Sequence, residues 1–178
     1  HLAGAINIGL DGKYATWCGT VLNKEKPIVV VSDGRDEEAI MRLGRIGFDS
    51  VSGFLEHGMN ALESRPELIR TTPRITAQAL AERLSEPRPP RVIDVRTEAE
   101  WRGGHIEGSM NLPLNQLTQR VDELPRDEPL IVHCQGGYRS ATAASILARA
   151  GRDVADLVGG FAAWSQAKLQ SVETGPAN

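Results

Sequence analysis

Apolar residues along this chain recur in two spacings that take turns. Short continuous runs such as Pro27-Ile28-Val29-Val30-Val31, Val92-Ile93-Asp94-Val95, Leu130-Ile131-Val132-His133 and Val154 to Val158 are β-branched and aliphatic, the pattern of a buried strand. Between them the apolar positions return every three or four residues, as on one helix face. Leu80 and Leu84 share such a face behind Thr76, which fits an N-cap, and Leu117, Val121 and Leu124 form another stripe. Ser140 to Ala150 is alanine-rich with a helix former at nearly every position, and Gly159-Gly160 opens a last helical segment. Strands alternating with helices predict an α/β fold: parallel sheets flanked by helices.

The pattern occurs twice. His1-Leu2-Ala3-Gly4-Ala5-Ile6-Asn7-Ile8 matches His105-Ile106-Glu107-Gly108-Ser109-Met110-Asn111-Leu112 at its His, Gly and Asn positions. Pro27–Val31 matches Pro129–His133, Gly47 ends a helical pattern as Gly151 does, and Gly58-Met59-Asn60-Ala61-Leu62 matches Gly160-Phe161-Ala162-Ala163-Trp164. A repeat this long implies duplicated domains rather than a solenoid. The expected division is a truncated first copy over 1–65, a polar linker over 66–73 carrying Pro66 and Pro73, and a complete second copy over 74–178. The first copy lacks a counterpart of Arg74 to Gly104, and the chain begins at His1 in mid-pattern, so it is expected to be a fragment of something longer.

Composition narrows the function. Hydrophobic residues make up 40%, enough for packed cores, while aromatics are only 4%, which argues against a base-stacking surface. With 20 basic and 23 acidic residues the net charge is −3, which argues against a general nucleic-acid or anionic-membrane binder. No apolar run approaches a membrane span and no signal peptide is recognisable. The two cysteines, Cys18 and Cys134, are too few for a disulfide framework, so a cytoplasmic setting is expected.

Cys134 sits where a strand gives way to a helix, at the head of C-Q-G-G-Y-R-S (Cys134 to Ser140). Glycines at 136 and 137 let backbone N–H groups of Gln135 to Ser140 turn inward into a cup. A helix beginning near Ser140 adds its positive end, and Arg139 adds a full charge and a fork of donors. Such surroundings favour the thiolate, which is the nucleophilic form. Cys18 has no such cup and is expected to be a packing residue. In the first copy Ser32 takes the place of Cys134, with no evident base and with Asp33, Asp36, Glu37 and Glu38 around it, so that copy is expected to be catalytically dead.

The loop, Asp94-Val95-Arg96, Glu100, the run Gly104 to Asn111 and the closing Gly159 to Trp164 together resemble the rhodanese family of sulfurtransferases. The resemblance implies that Cys134 takes a sulfur from thiosulfate, glutathione persulfide or a similar small donor and passes it to a thiol or cyanide acceptor. A transient cysteine persulfide would be the intermediate, with no cofactor and no metal. Gln135, Gly136, Gly137, Tyr138, Arg139 and Ser140 would bind substrate, with Asp94, Arg96 and Glu100 as supports and Arg96 and Glu100 in structural ion pairs. Tyr138 and Arg102 are expected near the mouth, His105 as a core histidine fixing the next turn, and His133 on the opposite face of its strand with no catalytic part.

The stretch His1 to Trp17 is similar to the first of two rhodanese-like repeats that follow a metallo-β-lactamase-fold domain in certain bacterial fusions. That likeness implies a missing N-terminal domain of this fold as partner, and a persulfide as donor. Two other readings stay open: a cysteine-dependent phosphatase, whose loop is one residue longer than the four residues between Cys134 and Arg139, and a non-catalytic interaction module. A homo-oligomer is compatible with all three.

Overall fold

A computed structural model describes residues 1–174, which form two units, His1–Thr71 and a second from Thr72 onward. The first contains α1 (Tyr14–Val21), β1 (Ile28–Val30), α2 (Asp36–Gly44) and β2 (Val51–Phe54), followed by single 3₁₀ turns at Gly58–Leu62 and Pro66–Leu68. β1 and β2 pair in parallel through the α2 crossover. Tyr14, Cys18, Val30, Ala39, Leu43 and Phe48 make the core. Cys18 is fully buried there, and burial pushes its thiol up to about 11. Asp36, Glu37 and Glu38 stand in the first turn of α2 and Arg42 in its last, each complementing the helix dipole. Leu2 bridges Ile69 in antiparallel fashion, and the N–H groups of Ala3 and Arg70 donate to Leu68 O and His1 O at 2.7 and 2.8 Å. These bonds tie residues 68–70, within the stretch read as linker, into the first unit.

The second unit runs β3 (Arg74–Ile75), α3 (Ala77–Leu84), β4 (Arg91–Asp94), α4 (Glu98–Arg102), β5 (His105–Ile106), β6 (Met110–Asn111), α5 (Leu114–Arg120), β7 (Leu130–His133), α6 (Tyr138–Arg149), β8 (Val154–Leu157), α7 (Gly160–Gln166) and β9 (Ser171–Val172). Five strands form a parallel sheet in the order β3-β8-β7-β4-β6. β7 is central, and all four of its residues are buried, as its unbroken apolar run requires. One face packs Val92, Ile131 and Leu157 against Ala77, Leu80 and Trp164 of α3 and α7. α6, with its small buried residues Ala143 and Ala144, packs against β7 and β8. Thr76 caps α3 by accepting the Ala79 N–H, and Thr97 with Glu100 makes a capping box on α4. An antiparallel ribbon, β5 with β9, lies outside the strands the sequence pattern announced. No helix among the described residues is long and apolar enough to cross a membrane.

The two units repeat each other in their turns. Gly47 and Gly151 both sit at left-handed φ (79° and 74°) after a helix, and the next N–H donates back to Leu43 O or Leu147 O. His57-Gly58 (φ 64°, 55°) and Gly159-Gly160 (φ 72°, 58°) adopt the same paired left-handed turn. The Leu2–Ile69 bridge stands where Ile106 pairs with Ser171.

A side chain at Gly58 would overlap the carbonyl oxygen of Ser32, and its φ is one that L residues rarely adopt. Gly58→Ala should therefore destabilise the protein by about 2 kcal/mol or more. In α2, a methyl added at Gly44 meets nothing within 4 Å, so Gly44→Ala should stabilise by about 0.5–1 kcal/mol. Denaturant unfolding of the two variants beside the parent checks both signs.

Candidate active site

The last residue of β7 is His133, and Cys134 follows at the carboxyl end of the sheet, where α/β folds place their sites. The chain then makes a three-residue loop, Gln135 to Gly137, and enters α6 directly. Gly137, at φ 106°, is the N-cap. The helix therefore begins at Tyr138, two residues before the position expected from sequence. A glycine that turns the chain in a single step makes the extra loop residues unnecessary. Tyr138, Arg139 and Ser140 consequently belong to the first helical turn rather than to the loop.

Cys134 is 1% exposed and lies beneath Gln135 and Gly136, which are exposed. The Gly137 N–H donates to its Sγ at 3.1 Å, and the thiol donates to Ser140 Oγ at 3.7 Å. Ser140, fully buried, donates in turn to Gly137 O at 3.2 Å. Added methyls at Gly136 or Gly137 would meet nothing within 4 Å, so that side of the loop opens onto free space.

The loop is polarised from behind. The N–H groups of Phe161 and Ala162, in the first turn of α7, donate to Cys134 O and Gln135 O at 2.8 and 2.9 Å. These bonds turn the carbonyls of Cys134 and Gln135 toward α7, and the N–H of the following peptide, that of Gly137, meets the sulfur. The approach requires glycine at 160. A Cβ there would overlap Cys134 O and stand 2.9 Å from Gln135 O.

Asp94 and Arg96 are almost wholly buried and face each other at the end of β4. Arg96 reaches Asp94 through Nε (3.0 Å) and Nη2 (2.6 Å), Gly104 O at 2.7 Å and Gln135 Oε1 at 3.2 Å. Its guanidinium also lies 4.1 Å from the centre of the Phe161 ring. One buried cation, bonded at all three of its nitrogens, thus joins β4, the loop and α7, and it supports the loop rather than presenting charge to solvent. His133, fully buried, donates from Nδ1 to Cys134 O at 3.2 Å, and its Nε2 lies 3.6 Å from Asp94 Oδ2. Burial holds its pKa down against the pull of Asp94, so the ring is neutral at neutral pH.

Arg139 departs from its expected part. It stands close enough to Cys134 to sense it, but both of its terminal nitrogens are bound by Glu100, each at 2.7 Å. Glu100 also accepts the Thr97 N–H at 2.9 Å and the Thr97 hydroxyl at 2.8 Å. The Arg139 fork, with burial working against it, holds the Glu100 carboxyl down at about 2. The charge expected to meet an incoming anion is therefore already paired. The two expected supports also find partners other than each other: Arg96 takes Asp94, and Glu100 takes Arg139. Tyr138 is half-buried beside Arg139. Arg102, expected at the mouth, pairs with Glu98 at the end of α4. His105 donates from Nδ1 to Trp101 O at 2.8 Å and stacks on the Trp101 ring. Gly160 and Phe161, legible in sequence only as a helix start, are the residues that set the loop's polarity.

The model of the rhodanese-like domain family matches residues 76–167. The chain belongs to the rhodanese-like family. A sulfurtransferase of Allochromatium vinosum is 32% identical over 99 residues, which are 55% of this chain and 92% of that protein. The YqhL protein of Bacillus subtilis is 44% identical over 75 residues, 42% of this chain and 60% of that protein. The crystal structure of a rhodanese-related protein from Thermoplasma volcanium superposes with a TM-score of 0.53 at 32% identity, covering 56% of this chain and 97% of that one. The second unit is thus a rhodanese-like domain, and its relatives include proteins named as sulfurtransferases.

Two outcomes are expected. Gly160→Ala should disorder the loop and lower the rate of Cys134 alkylation by iodoacetamide at least about tenfold, with a stability loss of roughly 2 kcal/mol or more; both are read by mass spectrometry and thermal melting. Because the folded Glu100 pKa lies below its ordinary value, the Glu100–Arg139 contact contributes fully above pH 4.5 and is lost as pH falls towards about 2. The stability difference between the parent and Glu100→Gln should shrink over that window in acid-unfolding titrations.

Proposed function

We propose that Cys134 is the nucleophile of a sulfurtransferase that moves one sulfane sulfur through an enzyme persulfide. The observation that carries this reading is the Cys134 sulfur facing a backbone N–H while the loop carbonyls are held away from it by α7. An amide dipole aimed at the sulfur favours the anionic form that attacks, and would favour the terminal anion of a persulfide as well.

In the first half-reaction the Cys134 thiolate attacks the outer sulfur of the donor. The new S–S bond forms as the donor's own bond breaks. Sulfite leaves from thiosulfate, or a thiolate leaves from a low-molecular-weight persulfide. In the second half-reaction a thiol or cyanide attacks the outer sulfur of the Cys134 persulfide and restores the thiolate. Two half-reactions through a covalent intermediate give ping-pong kinetics and need no cofactor. The Glu100–Arg139 pair brings no net charge to the mouth, which fits a glutathione persulfide-type donor at least as well as the thiosulfate dianion. Gln135 and Gly136, exposed above the thiol, and Tyr138 beside it are the donor's first contacts in this reading.

The first unit is read as a truncated, inactive copy of the same domain. Ser32 stands over Gly58 as Cys134 stands over Gly160. Its hydroxyl, however, donates to Asp36 at 2.8 Å and accepts the Arg35 N–H at 2.9 Å, so it serves the helix start. The family model does not extend to this unit. The likeness of residues 1–17 to the fusion proteins supports a metallo-β-lactamase-fold domain ahead of it in a cytoplasmic persulfide-handling polypeptide.

Mixing the protein with thiosulfate or glutathione persulfide should add one sulfur atom to the Cys134 peptide, and cyanide should then release thiocyanate. Cys134→Ser should keep the fold and lose both signals. Sulfur transfer retained in that variant, or hydrolysis of p-nitrophenyl phosphate without thiocyanate formation, would overturn the assignment.

A further inference from the structure

One buried ionisable group near Cys134 has no part in the chemistry so far. Asp156 lies in β8, is 6% exposed, and its Oδ1 has no hydrogen-bond partner among the described residues. Its neighbour Leu157 packs with Ile131 and Val92 on the face covered by α3 and α7, so Asp156 points to the other face, where α6 lies. There Ser140, in the first turn of α6, meets its carboxyl. The ladder partner of Asp156 is Val132, and Cys134 follows two residues later on the same side of the sheet. The neighbouring cations stand off. Arg74 of β3 is largely exposed, with Nε 3.9 Å from Asp156 Oδ2, and Arg139 of α6 is held by Glu100. Burial pushes the Asp156 carboxyl above its ordinary range, against the pull of Ser140 and Arg74.

Ser140 has one proton to donate. Beside the Cys134 thiol it accepts from Sγ at 3.7 Å and gives that proton to Gly137 O at 3.2 Å. When Cys134 ionises, the bond from sulfur is lost and the Ser140 lone pairs face a negative charge. The stability of the thiolate then depends on which way the hydroxyl turns. We propose that Asp156 is a positioning residue that turns Ser140 toward the Cys134 thiolate: its neutral carboxyl donates to Ser140 Oγ, and Ser140 donates to the sulfur. An ionised Asp156 would instead accept the Ser140 proton and leave the sulfur without it. A carboxyl with an oxygen buried and unbonded favours the neutral form, because only the charged form bears the full cost of lost hydration. The chain Asp156–Ser140–Cys134 thus adds a donor to the Gly137 N–H. No covalent bond changes along it, and the Asp156 proton stays in place. The role rests on the reading of Cys134 as the nucleophile.

The test is the pH dependence of Cys134 alkylation by iodoacetamide in the full chain, read on the Cys134 peptide by mass spectrometry. Asp156→Asn keeps a donor to Ser140 at every pH and should leave the midpoint close to that of the parent. Asp156→Leu, apolar and without a donor, should raise it by about one pH unit, a roughly tenfold weaker acid. Ser140→Ala should raise it similarly, and Asp156→Leu should add nothing in the Ser140→Ala background. Equal shifts for Asn and Leu overturn the proposal, as does a Leu effect that survives Ser140→Ala. A midpoint lowered in both Asp156 variants would make Asp156 an ionised group that only repels the thiolate, and overturns it too. Should Asp156→Leu fail to fold, Ser140→Ala decides, and an unchanged midpoint there sinks the role. Thiocyanate formation with none of these shifts removes this role and leaves sulfur transfer standing. The shifts without any thiocyanate in the parent support the role and remove the sulfurtransferase reading.

Discussion

Two backbone hydrogen bonds decide what the Cys134 loop can do. The first-turn amides of α7 hold the carbonyls of Cys134 and Gln135, and in each planar trans peptide the N–H points opposite to its carbonyl. The Gly137 N–H, from the next peptide along, meets the sulfur. The docking of the loop carbonyls on α7 depends on how closely that helix can approach, and that depends on the missing Cβ of Gly160. A glycine remote in sequence from the cysteine is thus part of the reason the cysteine has a polarised environment.

The charges around the loop are arranged to hold it. Arg96 is buried with four kinds of partner: Asp94, Gly104 O, Gln135 and the Phe161 ring. A buried ion pair stabilises little unless its remaining donors are also bonded, and here every guanidinium nitrogen has an acceptor. Glu100 and Arg139 form a half-buried bidentate pair that links α4 to the first turn of α6. Pairs such as Arg126 with Asp122, both largely exposed, are of the kind that contributes little. The distinction matters for reactivity. Both arginines are bonded to carboxylates, the Gly137 amide donates to the Cys134 sulfur, and the Arg139 guanidinium beside that sulfur also interacts with it.

The first unit shows how much of this arrangement belongs to the backbone. It keeps the paired left-handed turn, the close approach of a glycine to a loop carbonyl and the parallel β1–β2 ladder. At the position of the thiol it has a hydroxyl bonded to Asp36. Turn geometry and the side chain at the head of the loop are therefore separable: backbone hydrogen bonding fixes the first, and one residue with its immediate partners fixes the second.

The features legible in the chain were those set by neighbouring residues. Continuous apolar runs gave the strands, Thr76 gave a helix start, and the strand–Cys–Gly-Gly–helix order located the loop, because periodicity, capping and left-handed turns are local properties. The repeated turns at Gly47 and Gly151 were legible for the same reason. Tertiary structure alone decided that Glu100 takes Arg139 and Asp94 takes Arg96, that β9 returns to pair with β5, and that α7 turns the loop carbonyls outward. Each of those outcomes joins groups far apart in sequence or chooses among several donors and acceptors of equal local merit. Only the packed distances between them break that tie, and no spacing along the chain encodes those distances.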